Sequence, residues 1–583
     1  MVRKRWVLTR DDEHKDVVEK LATTLKIDVT LARLLAQRGI RSYAEAYDFF
    51  RPSLDKLHDP YLLKNMELAI SFIEQAIDQN KRILIYGDYD VDGTTAVALV
   101  YDFLKDFHDN LDYYIPDRYK EGYGISYDSI DYAVETGVDL IISLDCGIKA
   151  HDQIGYARGK GLDYIVIDHH RPGAEPLEAT AVIDPKQEDC PYPYKELSGC
   201  GLGFKLAQAF YQKRKLPFDG LEKLLDLVVV SIAADVVPIT GENRLLAYYG
   251  LKQLNLSPRS GLESILFYSN VFRKAQADGT TVFTREINVN DLMFLIGPKI
   301  NAAGRIKSGR KAVDLLVCQD MRDTHQLSID ISDNNTERRG LDTDITRQAM
   351  DKIANNPLSE GSKSTVLFDA GWHKGVIGIV ASRLIETHYR PTIVFTASNG
   401  LITGSARSVK DFDVYNAIDA CSDLLEHFGG HKYAAGLSLR PENLDAFIDK
   451  FTQVVEETIT DEMLVPQIEV HSEIKLNAIV GKFYRVLKQF APFGPGNANP
   501  VFVCRQCVAN GRVRVVGEKH LKFKVRQPGY SKVELPAIAF QQGHHLSKMQ
   551  NSKYFDIAFQ IEENSWNGRI SLQLNVKDIK FYE

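Results

Sequence analysis

A chain of 583 residues is too long for one hydrophobic core and predicts about three or four domains. Its 44% hydrophobic and 26% charged content is that of an ordinary globular protein, and no run approaches the roughly 18 apolar residues of a membrane span. The net charge of −7 does not advertise a nucleic-acid binder, although basic grooves are local and can hide in such a total. Met1-Val-Arg-Lys-Arg-Trp6 is followed by no apolar stretch, so no secretory leader is expected, and seven unpatterned cysteines fit a reducing cytoplasm.

Residues 1–60 read as a helical segment: Leu21, Leu25, Leu31, Leu34 and Leu35 are spaced for helices, and Arg51-Pro52 breaks the pattern. Over 61–309 strand-like and helical stretches alternate, as in a parallel sheet covered by helices. Three runs stand out: Arg82-Ile-Leu-Ile-Tyr86, Leu140-Ile-Ile-Ser-Leu144 and Tyr164-Ile-Val-Ile167. Short, continuously apolar runs of this kind are strands buried on both faces. Thr94–Phe107 reads as the helix after the first strand, with Thr94 or Thr95 as its cap. Residues 221–239 read as an apolar helix ending near Asp235 and Pro238. Residues 310–355 are charged on all faces, as in a long helix that connects domains.

A second α/β domain follows over 356–460, with strands at Ser364–Phe368 and Pro391–Phe395 and a helix starting between Gly375 and Leu384. After Pro492-Phe-Gly-Pro-Gly496 the period becomes two, as in Arg512–Val516, Leu521–Val525 and Ile570–Leu574. Residues 461–583 therefore predict a small OB-like β-barrel, a fold that binds single strands. The fold class is multidomain α/β. Cys504-Arg-Gln-Cys507 reads as two ordinary strand residues, because no second pair or nearby His completes a metal site.

The chemistry lies at the strand ends, since the site of an open parallel sheet sits beyond the carboxyl ends of its strands. The first run leads into Asp88-Tyr-Asp90-Val-Asp92-Gly93, the second into Asp145-Cys-Gly147, the third into Asp168-His169-His170. A single Asp after a strand is often only a cap or turn former. Three alternate Asp in five residues, followed by Gly, are harder to explain that way. Like charges gathered on one rim raise each other's pKa and cost stability, so a pair of divalent cations is the simplest compensation. Carboxylates with some imidazole suit Mn²⁺ or Mg²⁺ and not a Cys-rich structural zinc. Asp235, inside Ala233–Pro238, is costly to bury unpartnered, and either a cation or a helix end would satisfy it. The predicted ligands are Asp88, Asp90, Asp92, Asp145, His169, His170 and Asp235. Asp168 is the acceptor that would orient a ligating His.

The second α/β domain carries its own signals. Trp372-His373-Lys-Gly375 precedes a helix whose N-terminus can hold an anion. Gly404-Ser405-Ala-Arg407-Ser408 sets two hydroxyls beside a guanidinium, a reasonable phosphate clamp. Gly429-Gly430-His431 joins a close-approach backbone to a polar tip. Each is weak alone, because Gly-rich turns are common.

Asp88 to Gly93, Asp145, Asp168-His169-His170 and Asp235 resemble motifs one to four of the DHH phosphoesterases, and Gly429-Gly430-His431 resembles the signature of their partner domain, DHHA1. Ile296-Gly-Pro-Lys-Ile-Asn301-Ala-Ala-Gly304-Arg305, Trp372–Leu384, Gly404–Ser408 and Pro492–Asn497 resemble the bacterial single-strand-specific exonucleases of that family. The likeness runs from about residue 40 to the C-terminus. One departure is Tyr86, where many relatives have His, a ligand that Asp88 can replace.

The resemblance implies a 5′→3′ exonuclease on single-stranded DNA that releases mononucleotides with Mn²⁺ or Mg²⁺. It implies a monomer acting in recombination and repair, with a RecQ-type helicase and a single-strand-binding protein as partners. It further implies Arg118, Ser405 and Arg407 as a 5′-phosphate pocket, and Asn301, Arg305, His373, Gly429 and Gly430 as other substrate contacts. Asp145, His170 and His431 would be the catalytic set, Asp145 bridging two cations and a His touching the non-bridging phosphoryl oxygens. The alternative is a DHH phosphodiesterase for short oligoribonucleotides or cyclic dinucleotides, which would not need residues 490–583.

Overall fold

Five parallel strands run in the order Leu111–Tyr114, Ile83–Gly87, Leu140–Leu144, Asp163–Ile167, Ala181–Ile183. Ile83–Gly87 and Leu140–Leu144 are buried along their whole length because both faces are covered. Ile85, Ile142 and Ile165 pack with Ile70, Val97 and Leu202 on one face. Leu84, Ile141 and Val166 pack with Ile130, Ile154 and Ala157 on the other. Two covered faces demand continuous apolar runs, and such full burial stabilises by about 1.5–3 kcal/mol per Ile or Leu. The register aligns the exits of these strands on one edge.

The computed structural model describes residues 4–9, 15–276, 278–355, 361–529, 533–566 and 569–582. Two units are formed, both discontinuous in sequence. The parallel sheet belongs to the unit Pro52–Leu341 with Pro492–Asn497; the other comprises Met1–Arg51, Asp342–Ala491 and Ala498–Glu583. Among the described residues no helix is long and apolar enough to cross a membrane.

Several elements differ from the sequence reading. The helix after the first strand is Val91–Lys105, and its cap is Asp90, whose carboxylate accepts the Gly93 N–H at 3.1 Å. Thr94 and Thr95 lie inside the first turn and donate back to the Asp90 and Val91 carbonyls. The early start depends on Gly93, where a Cβ would run into the Asp88 carbonyl oxygen. The apolar helix of 221–239 is two pieces, Asp219–Glu222 and Leu225–Ala234, with Asp235 as the C-cap.

The connecting helix is Met321–Ala354, 34 residues long, and Arg310–Val317 is a separate helix with Ala312, Val313, Leu315 and Leu316 buried. Asp320 makes the break by accepting the N–H groups of Arg322 and Asp323. The surrounding charge masked that short apolar stripe.

In the second unit a mixed sheet runs His427–His431, Ala434–Leu439, Leu401–Arg407, Thr392–Ser398, Thr365–Phe368, with only the last pair parallel. Its apolar face packs on Phe447, Phe451 and Val455 of the helix Leu444–Thr458. The N-terminal segment is not wholly helical: Arg5–Leu8 pairs in parallel with Gln467–Val470. A strand that borrows its partner from the far end of the chain leaves no local periodicity to read. Phe502–Val516, His520–Arg526, Glu534–Ala539, Arg569–Phe581 and Phe555–Trp566 pair in that order, and the last pairs back with the first, an OB-like circuit. Cys504 and Cys507 are free and buried on either side of a bulge in the first of these strands.

Candidate metal centre

His169 stands among three carboxylates. Its Nε2 is 3.1 Å from Asp145 Oδ1 and 3.6 Å from both Asp92 Oδ2 and Asp235 Oδ2. Two overlapping groups, Asp145-His169-His170 and Asp92-His169-Asp235, each offer ligand atoms within 4.8 Å of one another. Neither ring nitrogen of buried His169 makes an aligned hydrogen bond, and both oxygens of buried Asp88 lack a donor. Buried polar atoms are nearly always satisfied, and an unpaired buried carboxylate is among the costliest exceptions. Carboxylate and imidazole atoms gathered within 4.8 Å of one another, with buried atoms left unpartnered, fit a divalent cation of the Mn²⁺ or Mg²⁺ type.

Local structure aims each group. Asp145 follows its strand at φ 60°, a conformation that costs a non-glycine residue energy and turns the carboxylate out of the strand direction. The sharp exit is thus made at Asp145 itself as well as at Gly147, with φ 113°. Asp92 is fixed by the N–H groups of Gly199 (2.7 Å) and Cys200 (2.8 Å) and by the Ser231 hydroxyl (2.7 Å). Asp168 accepts the N–H groups of Ile148, His169 and His170 and holds His170 Nδ1 at 2.7 Å. It therefore orients His170 and leaves Nε2 as that ring's outward atom. Asp90 spends one oxygen on the helix cap. Gly199, Cys200 and Ser231 were missed in the sequence. The available signal was the glycine spacing of Ser198-Gly-Cys-Gly-Leu-Gly203, where a Cβ on Gly199 would stand 2.6 Å from Asp145 Cβ.

The electrostatics follow. Burial, then the charge of Asp90, pushes Asp88 well above the carboxylate range. Burial, then Asp92 and Asp90, does the same to Asp145 and takes Asp235 to about 8. Burial also raises Asp168, but the hydrogen bond and charge of His170 and the backbone donors more than offset it and hold Asp168 at about 2. Burial lowers His170, yet the Asp168 partner carries it to about 9. One ion pair is therefore built in, while Asp88, Asp145 and Asp235 favour protons unless a cation replaces them.

Arg118 comes to the same rim: its guanidinium lies 4.8 Å above the ring of Tyr89, between Asp88 and Asp90. The helix Gly297–Ile306, which carries Asn301 and Arg305, passes close beside Tyr89, because Gly304 has no Cβ to meet the Tyr89 carbonyl. The Arg305 carbonyl accepts the Tyr119 hydroxyl. Tyr123, also missed in the sequence, places its hydroxyl 3.4 Å from His170 Nε2 and from the Asp145 carbonyl.

In the second unit Ser405, Arg407, Gly429 and His431 share one face. Arg407 is opposite Ala434 and His431 beyond it; Ser405 is opposite Gly436 and Gly429 beyond it. Directly opposed residues of antiparallel strands point the same way. The small residues Gly429, Ala434 and Gly436 leave that face low. The helix Ile377–Thr387 begins at its rim with no side-chain cap, and a Cβ on Gly378 would stand 2.8 Å from both Ser405 Oγ and Arg407 Nη2. His373 Nδ1 accepts the Gly375 N–H just before that helix. Gly430 serves the backbone: its φ is 150°, and a Cβ would run into the Ala434 carbonyl. Ala434 and Gly436 were not singled out in the sequence, where small residues in a strand carry no chemical signal.

Comparison with known proteins agrees with this geometry. Residues 82–232 match the DHH family, N-terminal domain, residues 361–457 the DHHA1 domain, and residues 470–578 the RecJ OB domain. The single-stranded-DNA-specific exonuclease RecJ of Bacillus subtilis (strain 168) is 34% identical over 578 residues, covering 98% of this chain and 70% of the relative. That of Escherichia coli (strain K12) is 30% identical over 589 residues, covering 97% and 98%. The crystal structure of RecJ in complex with Mn²⁺ from Thermus thermophilus superposes with a TM-score of 0.82 at 27% identity, covering all of this chain and 80% of that one. The Mg²⁺ complex from the same organism gives 0.75 at 26%, covering all of this chain and 79% of that one. With all three domain matches in one order and full-length relatives at 30% identity or more, the chain belongs to the RecJ family of DHH proteins.

Proposed function

We propose that this protein is a metal-dependent, single-stranded-DNA-specific exonuclease that removes mononucleotides from the 5′ end. The observation that carries the reading is the buried group of His169, Asp92, Asp145 and Asp235 with the unsatisfied Asp88 carboxylate beside it, in a chain whose full-length relatives bear that activity in their names. Asp88, Asp90, Asp92, Asp145, His169, His170 and Asp235 would hold two divalent cations, Mn²⁺ or Mg²⁺. Bound there, the cations supply Lewis acidity, which lowers the pKa of an attacking water and neutralises charge on the phosphoryl oxygens. Asp145 would serve both cation sites; its Oδ1 lies 3.1 Å from Nε2 of His169, the residue common to the two groups. His170, whose Nδ1 is held by Asp168 at 2.7 Å, turns Nε2 outward, where it would either ligate a cation or, when protonated, donate to a non-bridging oxygen.

Arg118 beside the metal rim is a phosphate contact, and so are Ser405 and Arg407 in the second unit, with His373, His431 and the N–H groups of the Ile377–Thr387 helix. Asn301 and Arg305 flank the motif as further contacts. Lys522, Lys524 and Arg526 of the OB-like sheet would follow the sugar-phosphate backbone. A helicase of RecQ type and a single-strand-binding protein, acting with it in recombination and repair, complete the proposal.

The test is digestion of end-labelled single-stranded DNA with Mn²⁺, beside duplex, RNA and blocked-end substrates. Mononucleotides are expected from the 5′ ends of single strands, with activity abolished and folding retained in Asp145→Ala. Wild-type turnover in that variant sinks the assignment, and cleavage confined to short oligoribonucleotides or cyclic dinucleotides moves the protein to a small-substrate branch.

A further inference from the structure

The loop Asp117–Gly124 brings Arg118 and Tyr123 to the metal rim, and one side chain holds it shut. Glu121 lies within the loop, and its carboxylate accepts three hydrogen bonds from three different places. Oε1 takes the Asp117 N–H at 2.7 Å, closing the loop on its own first residue. Oε2 takes the Tyr114 hydroxyl at 3.1 Å and the Ser126 hydroxyl at 2.5 Å. Tyr114 ends the edge strand of the parallel sheet, with its ring stacked on Tyr86 at 5.8 Å. Ser126 caps the helix Tyr127–Glu135. The carboxylate thus joins the strand that enters the loop to the helix that leaves it. Two smaller ties surround it: Asp117 Oδ1 accepts the N–H groups of Tyr119 and Lys120, and the Tyr86 hydroxyl donates to the Gly124 carbonyl. Gly122 and Gly124, at φ 88° and 84°, supply backbone turns that side chains rarely adopt.

What the closed loop carries is functional. Arg118 is laid over Tyr89, the Tyr119 hydroxyl reaches the carbonyl of Arg305, and Tyr123 reaches His170 and Asp145. The hydrogen bonds of the Glu121 carboxylate go to Asp117, Tyr114 and Ser126, so it acts on Arg118, Tyr119 and Tyr123 through the loop.

We infer that Glu121 is a positioning residue for recognition of the 5′ end: it fixes the Asp117–Gly124 loop so that Arg118 meets a terminal phosphate. The inference rests on the proposed exonuclease reading and deepens it. Charge-assisted hydrogen bonds to a carboxylate are among the stronger ties a loop can have, and a displacement of about 1 Å at a positioning group costs about 100-fold in rate.

The experiment compares wild type, Glu121→Ala, Glu121→Gln and Arg118→Ala on 5′-phosphorylated and 5′-hydroxyl single strands, with Mn²⁺ binding and trypsin nicking after Arg118 and Lys120 measured alongside. Glu121→Ala should lose roughly 10–100-fold in kcat/KM on phosphorylated ends, mainly through KM, and only a few-fold on hydroxyl ends. Its Mn²⁺ affinity should stay within about twofold of wild type, because the metal ligands hang from other elements. Glu121→Gln keeps one acceptor oxygen and should fall between. It also carries the test if Glu121→Ala fails to fold.

Loss of the end preference in Arg118→Ala but not in either Glu121 variant overturns the inference. If Arg118→Ala itself keeps the preference, the end-recognition reading is what fails. Trypsin then decides for Glu121: faster nicking in its variants sustains the clasp, and unchanged nicking removes it.

Discussion

At the scale of single residues the metal centre makes a linked prediction about protons and cations. Asp88, Asp145 and Asp235 have folded pKa values raised above the unfolded value, Asp235 to about 8. A carboxyl raised on folding contributes stability while it is protonated and loses it as pH climbs through the folded pKa. Metal-free protein should therefore lose thermal stability between about pH 5 and 8, the range in which Asp235 gives up its proton. Each must be deprotonated to bind a cation, so Mg²⁺ should bind more tightly and raise Tm more at pH 8 than at pH 6. Calorimetry at the two pH values, with and without Mg²⁺, checks both, and a Mg²⁺ increment that does not grow with pH refutes the linkage.

Gly199→Ala would bring a methyl to 2.6 Å from Asp145 Cβ. An overpacked contact costs about 1–3 kcal/mol. The variant should stay folded in a melting curve but lose at least about tenfold in turnover as Asp145 is displaced. The strand-end Asp and His residues were legible because their position after buried apolar runs is itself a local pattern. The residues that orient Asp92 were not: Ser231 lies 139 positions away and looks like any other serine in an apolar helix.

Elements were legible in proportion to how local their causes are. The strands Ile83–Gly87 and Leu140–Leu144 announce themselves because burial on both faces makes them almost continuously apolar, with Ser143 the one small polar exception. The start of the helix Val91–Lys105 was misplaced because Asp90, read in the sequence as a ligand, caps the helix in the structure. Arg5–Leu8 became a strand only through a partner far along the chain.

The hairpin His427–His431 with Ala434–Leu439 was legible as glycines and a histidine but not as an edge of a sheet. Its geometry depends on Gly430, at φ 150° with the Ala434 carbonyl in the way of any Cβ. We expect Gly430→Ala to destabilise the protein by about 2–3 kcal/mol and to lower turnover by displacing His431. Gly429 has nothing within 4 Å of its Cβ position, so Gly429→Ala should melt near wild type. Equal melting temperatures for the two variants would contradict this account of the edge.

For the whole molecule, a net charge of −7 conceals how charge is arranged. In His520–Arg526 the period of two sends Leu521, Phe523 and Val525 into the core and Lys522, Lys524 and Arg526 outward. Arg514 stands opposite Lys522 on the neighbouring strand, and Ile538 and Pro536 stand opposite Lys522 and Lys524 on the other. The basic, partly apolar surface that results is what a sequence-tolerant contact to single strands requires, and it is set against a total charge that points the other way. The alternation was legible in the sequence; the pairing that brings Arg514 to the same face was not, because a bulge between Asn510 and Arg514 shifts the register.

Such a surface should announce itself in salt. Each phosphate neutralised on a single strand contributes about −0.7 to the slope of log K against log salt. The double variant Lys522→Ala, Arg526→Ala should reduce the magnitude of that slope by about 1.4, measured by anisotropy with a labelled oligonucleotide on the Asp145→Ala background so that nothing is cleaved. Lys524 is already held by Glu534 at 2.7 Å, so Lys524→Ala alone should change the slope by less than either of its neighbours. If the double variant keeps the wild-type slope, the basic face of the OB-like sheet takes no part in binding, and the salt dependence has to be sought at the proposed contacts Arg118, Ser405 and Arg407.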